Sequence, residues 1–202
     1  MWDIRLVDHE IYNLFYLFII YSVIGWIYES TLVSVKSKTL VNRGFLAGPI
    51  IPIYGCGALI LYLAVWNYRD NLFLVFIVGA LSATVLEFVT SWVMELIFHT
   101  RLWDYSYWPL NYKGRVCLFI SLFWGILSVL MIFIQPYIQY VIGIIPRHIG
   151  EIMAYVIALL FILDLINSII STIKFDKALA KLQKLRQDIT EYIVASKIIG
   201  TG

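Results

Sequence analysis

Apolar residues run through this chain in five long blocks, each separated from the next by a short polar stretch. The blocks cover roughly residues 11–35, 49–66, 72–98, 116–135 and 150–173. A membrane-crossing helix needs about 17–25 mostly apolar residues. Each block therefore predicts a span, with the second the shortest and most broken. Beyond them, residues 174–202 are polar, and apolar positions recur there at alternating spacings of three and four: Phe175, Ala178, Leu182, Leu185, Ile189, Tyr192 and Ser196. That spacing predicts an amphipathic helix. The expected fold is all-α: a polytopic transmembrane helix bundle of about five spans over residues 1–173, followed by a cytoplasmic amphipathic tail over 174–202.

Composition agrees with the pattern. The 202 residues are 61% hydrophobic and 14% charged, with a mean hydropathy of +0.85. Soluble domains carry about 25% charged residues, so there is too little polar surface here to coat a water-soluble globule. Cys56 and Cys117 both fall in or beside apolar blocks and are read as small buried residues, with no disulfide framework. The opening "MWDIRLVDHEIYN" carries three acids and one Arg before the first block. It lacks the design of a signal peptide, so the first span is expected to be retained.

Net charge is only +2, but its distribution is uneven. Five spans put the N-terminus and the 67–71 and 136–149 loops on one side, with Arg5, Arg69 and Arg147. The other side receives Lys36, Lys38, Arg43, Arg101, Lys113, Arg115 and the six basic residues of the tail. Lys and Arg favour the cytoplasmic side. The expected protein is integral to the cell membrane, with its N-terminus outside and its C-terminus in the cytoplasm.

Three of the acids inside the apolar blocks are the informative ones: Glu29 near the end of the first, Glu87 near the middle of the third and Asp164 in the middle of the fifth. A charged acid at the bilayer centre costs about 2.5–3.5 kcal/mol on insertion scales. Each should face the bundle or water and find a partner. Gly79, Ala83, Glu87, Ser91 and Glu95 recur every four residues as one small and polar stripe. Cys117, Ser121, Gly125 and Ser128 form a second, and Asp164, Asn167, Ser168 and Ser171 share a face. Small stripes let membrane helices approach closely, and the acids within them suggest a hydrated seam. His99, four after Glu95, reads as its interfacial partner and not as a metal ligand.

Two interruptions stand out, both on the side assigned to the cytoplasm. "VNRGFLAGPIIPIYGCGA" (41–58) sets four glycines, two prolines and Arg43 between apolar blocks. Irregular backbone at membrane depth is tolerated only inside protein or along a wet cavity. The stretch therefore predicts a re-entrant lining, with Pro49 free to open a helix and Arg43 brought to Glu29, Asp104 or an anionic ligand. "TRLWDYSYWPLNYKGRVCL" (100–118) is rich in Trp and Tyr and adds Asp104, Ser106, Asn111, Lys113 and Arg115. Glu29, Arg43, Asp104 and Arg115 are expected to converge in one polar cluster. The candidate substrate-binding set is Glu29, Asn42, Arg43, Glu87, Asp104, Asn111 and Arg115. No cofactor or metal is called for, and no nucleic acid.

With "YSVIGWIYES" and "LWDYSYWPLNYKGRVCLFISLFWG", the first interruption resembles the ABC-transporter type IV family, also termed CmpB-like. The resemblance covers roughly residues 12–135 and rests on Gly25, Trp26, Glu29, Asn42, Arg43, Gly44, Gly48, Pro49, Pro52, Tyr54, Gly55, Trp103, Asp104, Tyr105, Ser106, Asn111, Gly114 and Arg115. It implies a multi-span membrane protein of permease type. The chain has no G-x-x-x-x-G-K-[ST] phosphate loop, so any ATPase would be a separate subunit. The leading expectation is a permease with a cytoplasm-facing polar cavity for a small polar or amphiphilic substrate. Membrane lipid and a homo-oligomer are its further partners. Two alternatives stay open: a regulatory or scaffold membrane protein, and an intramembrane enzyme acting on a lipid or isoprenoid head group. The enzyme reading lacks a nucleophile, since Ser106 and Cys117 have no base beside them in sequence.

Overall fold

A computed structural model describes residues 2–6, 9–99 and 101–199; the side chains of residues 6, 67, 188 and 190–199 lie outside that description. A small hairpin of β1 (Arg5–Leu6) and β2 (His9–Glu10) leads into α1 (Ile11–Ser37). Then come α2 (Pro52–Val65), a 3-10 turn at Trp66–Tyr68 and α3 (Leu72–Phe98). A second hairpin of β3 (Asn111–Tyr112) and β4 (Val116–Cys117) precedes α4 (Leu118–Ile144) and α5 (Arg147–Ile199). The architecture is the all-α bundle expected.

Four helices, α1, α3, α4 and α5, are long and apolar enough to cross a membrane. At 1.5 Å per residue the 27-residue helices α1, α3 and α4 reach about 40 Å, against a hydrocarbon core of about 30 Å. The second apolar block departs from expectation. Its helix has 14 residues, or about 21 Å, and begins at Pro52 with Ile51 extended before it (φ −113°, ψ 99°). Proline pushes its predecessor out of the helical region, so the later proline sets the boundary and Pro49 stays outside the helix.

The crossing is completed by irregular chain running back along α1. Val41 N–H donates to Ser34 Oγ (2.9 Å), and Arg43 N–H to Ser30 Oγ (3.1 Å). Trp26 Nε1 donates to Asn42 Oδ1 (2.5 Å), and Ile51 N–H to the Ser22 carbonyl (3.1 Å). Ser34, Ser30, Trp26 and Ser22 lie four apart on one face of α1, so the segment descends about 18 Å along that helix before α2 begins. Glycine permits the close crossing that follows. A Cβ on Gly25 would enter the Tyr54 ring, and one on Gly55 would enter Ser22 Oγ and the Phe18 carbonyl.

The far end of α2 reaches the N-terminal hairpin, where Tyr62 stacks on His9 with ring centroids 4.6 Å apart. Arg147, at the start of α5, binds the same end through Glu10 (2.7 Å), Asp3 (2.8 Å) and Glu151 (2.7 Å), and lies over the Tyr12 ring. The buried apolar core gathers there, with Tyr16, Leu17, Leu61, Val65, Val75, Ile138 and Ile142 among its members. At the opposite end Phe45 meets Phe98 and Arg43 meets Leu102, so the 38–51 and 99–117 segments lie together. The loops divide between the two ends as five crossings require.

α5 continues through Ile173 and Lys174 without a break, so the tail extends the last helix. Its outer faces are open: Leu159, Leu160 and Leu163 are exposed, as are Phe175, Leu182, Leu185 and Ile189 farther on. The Tyr192 and Ser196 positions of the expected seam lie outside the described side chains. On α5 only part of the expected polar face turns inward. Ser168 is buried and Asp164 half-buried, one turn apart, whereas Asn167 and Ser171 are exposed.

Candidate functional site

The half of the bundle away from the apolar core holds two glutamates. Glu87 sits on the small-residue face of α3, and Val75, Gly79, Ala83, Glu87 and Ser91 are all buried there. The stripe read from spacing is thus the packed face, and it carries Glu87 inward to 4% exposure. Its Oε1 accepts a hydrogen bond from the Tyr105 hydroxyl (2.8 Å), delivered from the 99–117 segment. Glu29 is half-buried on α1, and its Oε1 accepts from the Tyr54 hydroxyl of α2 (2.8 Å). The Tyr54 ring packs on Trp124 of α4, centroids 5.2 Å apart. Two carboxylates, two phenols and one indole from α1, α2, α3, α4 and the second hairpin segment therefore meet in one region.

Neither glutamate has a Lys, Arg or His partner within ion-pair distance among the described residues. The Trp124 indole N–H lies beside the same carboxylate, so Glu87 meets a second neutral donor, although Nε1 and Oε2 fall short of full hydrogen-bond geometry. Burial, and then the adjacent Glu87 carboxylate, push the Tyr105 hydroxyl well above the ordinary tyrosine range. It stays a donor at every physiological pH. Tyr54 and Tyr105 were read as family positions only; their role here could have been inferred from the need of each intramembrane acid for a donor.

The expected four-member cluster is not assembled. Arg115 pairs with Glu95, which also holds Arg101 (3.0 Å). The Arg43 guanidinium is exposed and donates to the Leu102 carbonyl (3.4 Å). Asp104 is taken up locally: its Oδ1 accepts from the Ser106 hydroxyl (2.5 Å) and backbone N–H (2.9 Å). These two donors hold its carboxyl below the usual aspartate range. His99 ends α3 in the left-handed region (φ 51°), which turns the chain there; Glu95 takes the two arginines in its place.

Asn42 and Asn111 act within their loops. Asn42 Nδ2 donates to the Ala47 carbonyl (2.6 Å). Asn111 Nδ2 donates to the carbonyls of Trp108 (2.7 Å) and Ser106 (3.3 Å), and its Oδ1 accepts from Gly114 N–H (3.0 Å). Gly114 has φ +69°, and a Cβ there would strike Asp104 and Ser106. Trp103 Nε1 donates to the Arg115 carbonyl (2.9 Å) and closes the segment. The result is a self-bonded plug that presents Tyr105 to Glu87.

Asp164 has a partner that no pairing of side chains would reveal. Its two oxygens accept from the backbone N–H groups of Ala47 (3.1 Å) and Gly48 (2.8 Å). The intramembrane acid of α5 thus satisfies the re-entrant segment. No group of three or more His, Cys, Asp or Glu among the described residues is placed to hold a metal ion.

The family profile described as "Putative ABC-transporter type IV" matches residues 16–169. The chain belongs to this family. The match runs past residue 135, where the sequence resemblance stopped, and takes in Asp164 and the start of α5, so the latch between α5 and the re-entrant segment lies inside the family region. No curated protein and no solved structure matches the chain. Family and helices together make this a multi-span membrane protein of ABC-transporter type.

Proposed function

We propose that this type IV family member is the membrane-spanning permease subunit of a transporter, and that Glu29 and Glu87 bind its solute. The observation that supports this reading most is the unmatched chemistry around Glu87. The buried Glu87 carboxylate meets only neutral donors, the Tyr105 hydroxyl and the Trp124 indole, and among the described residues neither glutamate has a protein cation. An unpaired charged group in a bundle is costly, and intramembrane acids mark solute or proton pathways. A cationic ligand would supply the missing counter-charge.

Two carboxylates among Tyr54, Tyr105 and Trp124 favour a small polar or amphiphilic solute with a cationic group, since ammonium is drawn to aromatic faces. The positive-inside rule puts the 38–51 and 99–117 segments, with Arg43 at their rim, in the cytoplasm of the cell membrane. The N-terminus is then outside. Asn42, Asp104 and Asn111 shape the mouth through the loops they hold, and Arg115 borders it. Energy would come from a separate ATPase subunit, and the open faces of α5 leave room for a second copy or lipid.

The test is a solute screen on purified full chain, read as thermal stabilisation, followed by counterflow in proteoliposomes. Primary and quaternary amines are expected to stabilise wild type and to exchange. Glu87→Gln should lose both responses while still inserting. Equal uptake by wild type and a Glu29→Leu/Glu87→Leu double variant would overturn the proposal.

A further inference from the structure

A second polar site lies outside the Glu29–Glu87 region. Where α3 ends, Trp92, Glu95, Leu96, His99 and Arg115 line an open groove of about 220 Å³. Sites that enclose a drug-sized solute run to about 300–1,000 Å³. The groove is too small to engulf an amphiphile but large enough for its head group. Its floor carries an arginine–glutamate pair. Glu95 Oε1 accepts from Nε and Nη2 of Arg101 (3.1 and 3.0 Å), and Oε2 touches Arg115 Nη2. One acid is thus shared by two guanidinium groups, and Asp104 neighbours Arg101, so Arg115 is the guanidinium that lines the groove. Arg115 Nη1 is buried with no acceptor, and His99 adds its imidazole at the rim.

The other wall is apolar and open. Trp92 is 51% exposed and Leu96 is 62% exposed, on a helix that crosses the membrane. The groove therefore sits where the last turn of a span meets the head-group layer, and its apolar wall continues along α3 into the bilayer. Tryptophan favours that depth. Guanidinium forks suit phosphate oxygens.

We propose that this groove binds one anionic phospholipid, its phosphate against Arg115 and its chains along Trp92 and Leu96. Neither Glu29 nor Glu87 lines the groove, so this site is separate from the one assigned to them.

The test is native mass spectrometry of the full chain in detergent doped with phosphatidylglycerol or phosphatidylcholine. Wild type is expected to retain one phosphatidylglycerol in preference to phosphatidylcholine. Arg115→Gln should cut that preference by about fivefold, the effect of one basic residue at an anionic surface. Trp92→Ala leaves the Arg115–Glu95 pair in place and should shorten retention; it decides the matter if Arg115→Gln fails to fold. Lys38→Gln, exposed at the same end, should change nothing. Equal retention of the two lipids, or unchanged preference in both groove variants, would overturn the proposal. So would an equal loss in Lys38→Gln, which would mean diffuse attraction. Displacement by glycerol phosphate as effective as by lipid would make this a site for soluble phosphoesters and remove the lipid.

Discussion

Replacing Asp164 with Ala removes, among the described residues, the one side chain that holds the Ala47 and Gly48 N–H groups. A hydrogen bond to a charged group contributes about 1.5–3 kcal/mol. Two such bonds would contribute about 3–6 kcal/mol, but Ala47 is exposed and water can take over part of its bond, which lowers the expected loss to ~2–4 kcal/mol. For a chain of this size each kcal/mol shifts Tm by about 2–4 °C, so Asp164→Ala should melt roughly 4–16 °C lower. Asp164→Asn should fall between, because its amide can accept from one N–H but presents a donor to the other.

The assay is thermal unfolding of purified chain in detergent, paired with hydrogen exchange over residues 43–52. The wild-type amides of Ala47 and Gly48 should be protected, and Asp164→Ala should expose them. Ser168→Ala, which loses only a 3.5 Å contact to Asp164, should behave as wild type. The reasoning fails if Asp164→Ala melts within about 1 °C of wild type and its 43–52 peptide exchanges no faster.

Other perturbations probe other joints. Glu87→Leu should insert but melt lower than wild type, because it leaves the Tyr105 hydroxyl without its acceptor, a loss of about 1–3 kcal/mol, whereas Glu87→Gln should keep the fold and lose solute response; a Leu variant that melts at or above wild type would contradict this. Arg147→Gln should loosen the N-terminal hairpin by ~1–2 kcal/mol, a modest effect for partly exposed pairs, detectable as faster proteolysis before residue 11. Gly55→Leu should abolish the α1–α2 crossing, since the first added carbon already meets Ser22 and Phe18; a monodisperse, normally melting variant would refute the geometry. Cysteines at 182 and 185 should crosslink between copies if the α5 extension pairs with itself, while salt-sensitive protection of Lys181 and Lys184 would place it flat on anionic lipid.

The spans were legible because lipid imposes a single coarse demand, a run of about twenty apolar residues. The buried face of α3 was legible for a related reason: only one face of a helix repeats every four residues, and small residues mark it. Partners were harder to read. Charge suggests charge, so Arg43 and Arg115 were matched to Glu29 and Asp104. In the fold the glutamates take phenols, Asp104 takes its own loop, and Asp164 takes backbone. None of these donors carries a formal charge, and backbone N–H groups leave no mark on a sequence. The start of α2 was misplaced by three residues because Pro49 and Pro52 both qualify for a first turn, and only the extended Ile51 decides between them.

One signal for the re-entrant segment was present in α1. Trp26, Ser30 and Ser34 stand four apart, each offering a side-chain oxygen or N–H toward the same side, and the Ser22 carbonyl continues the row. Non-helical chain at membrane depth must find donors and acceptors inside the protein, and this ladder meets Val41, Asn42, Arg43 and Ile51 in turn. Asp164 accepts from two N–H groups that the ladder does not reach, those of Ala47 and Gly48. The about 18 Å of descent and the about 21 Å of α2 together match the length of α1, so the broken second crossing is a full one. The glycines and prolines at 44–57 thus exchange a helix, which would have satisfied its own backbone, for a segment that depends on α1 and α5. That dependence gives α5, otherwise thinly packed, a fixed seat, and it places Tyr54 where its hydroxyl meets Glu29.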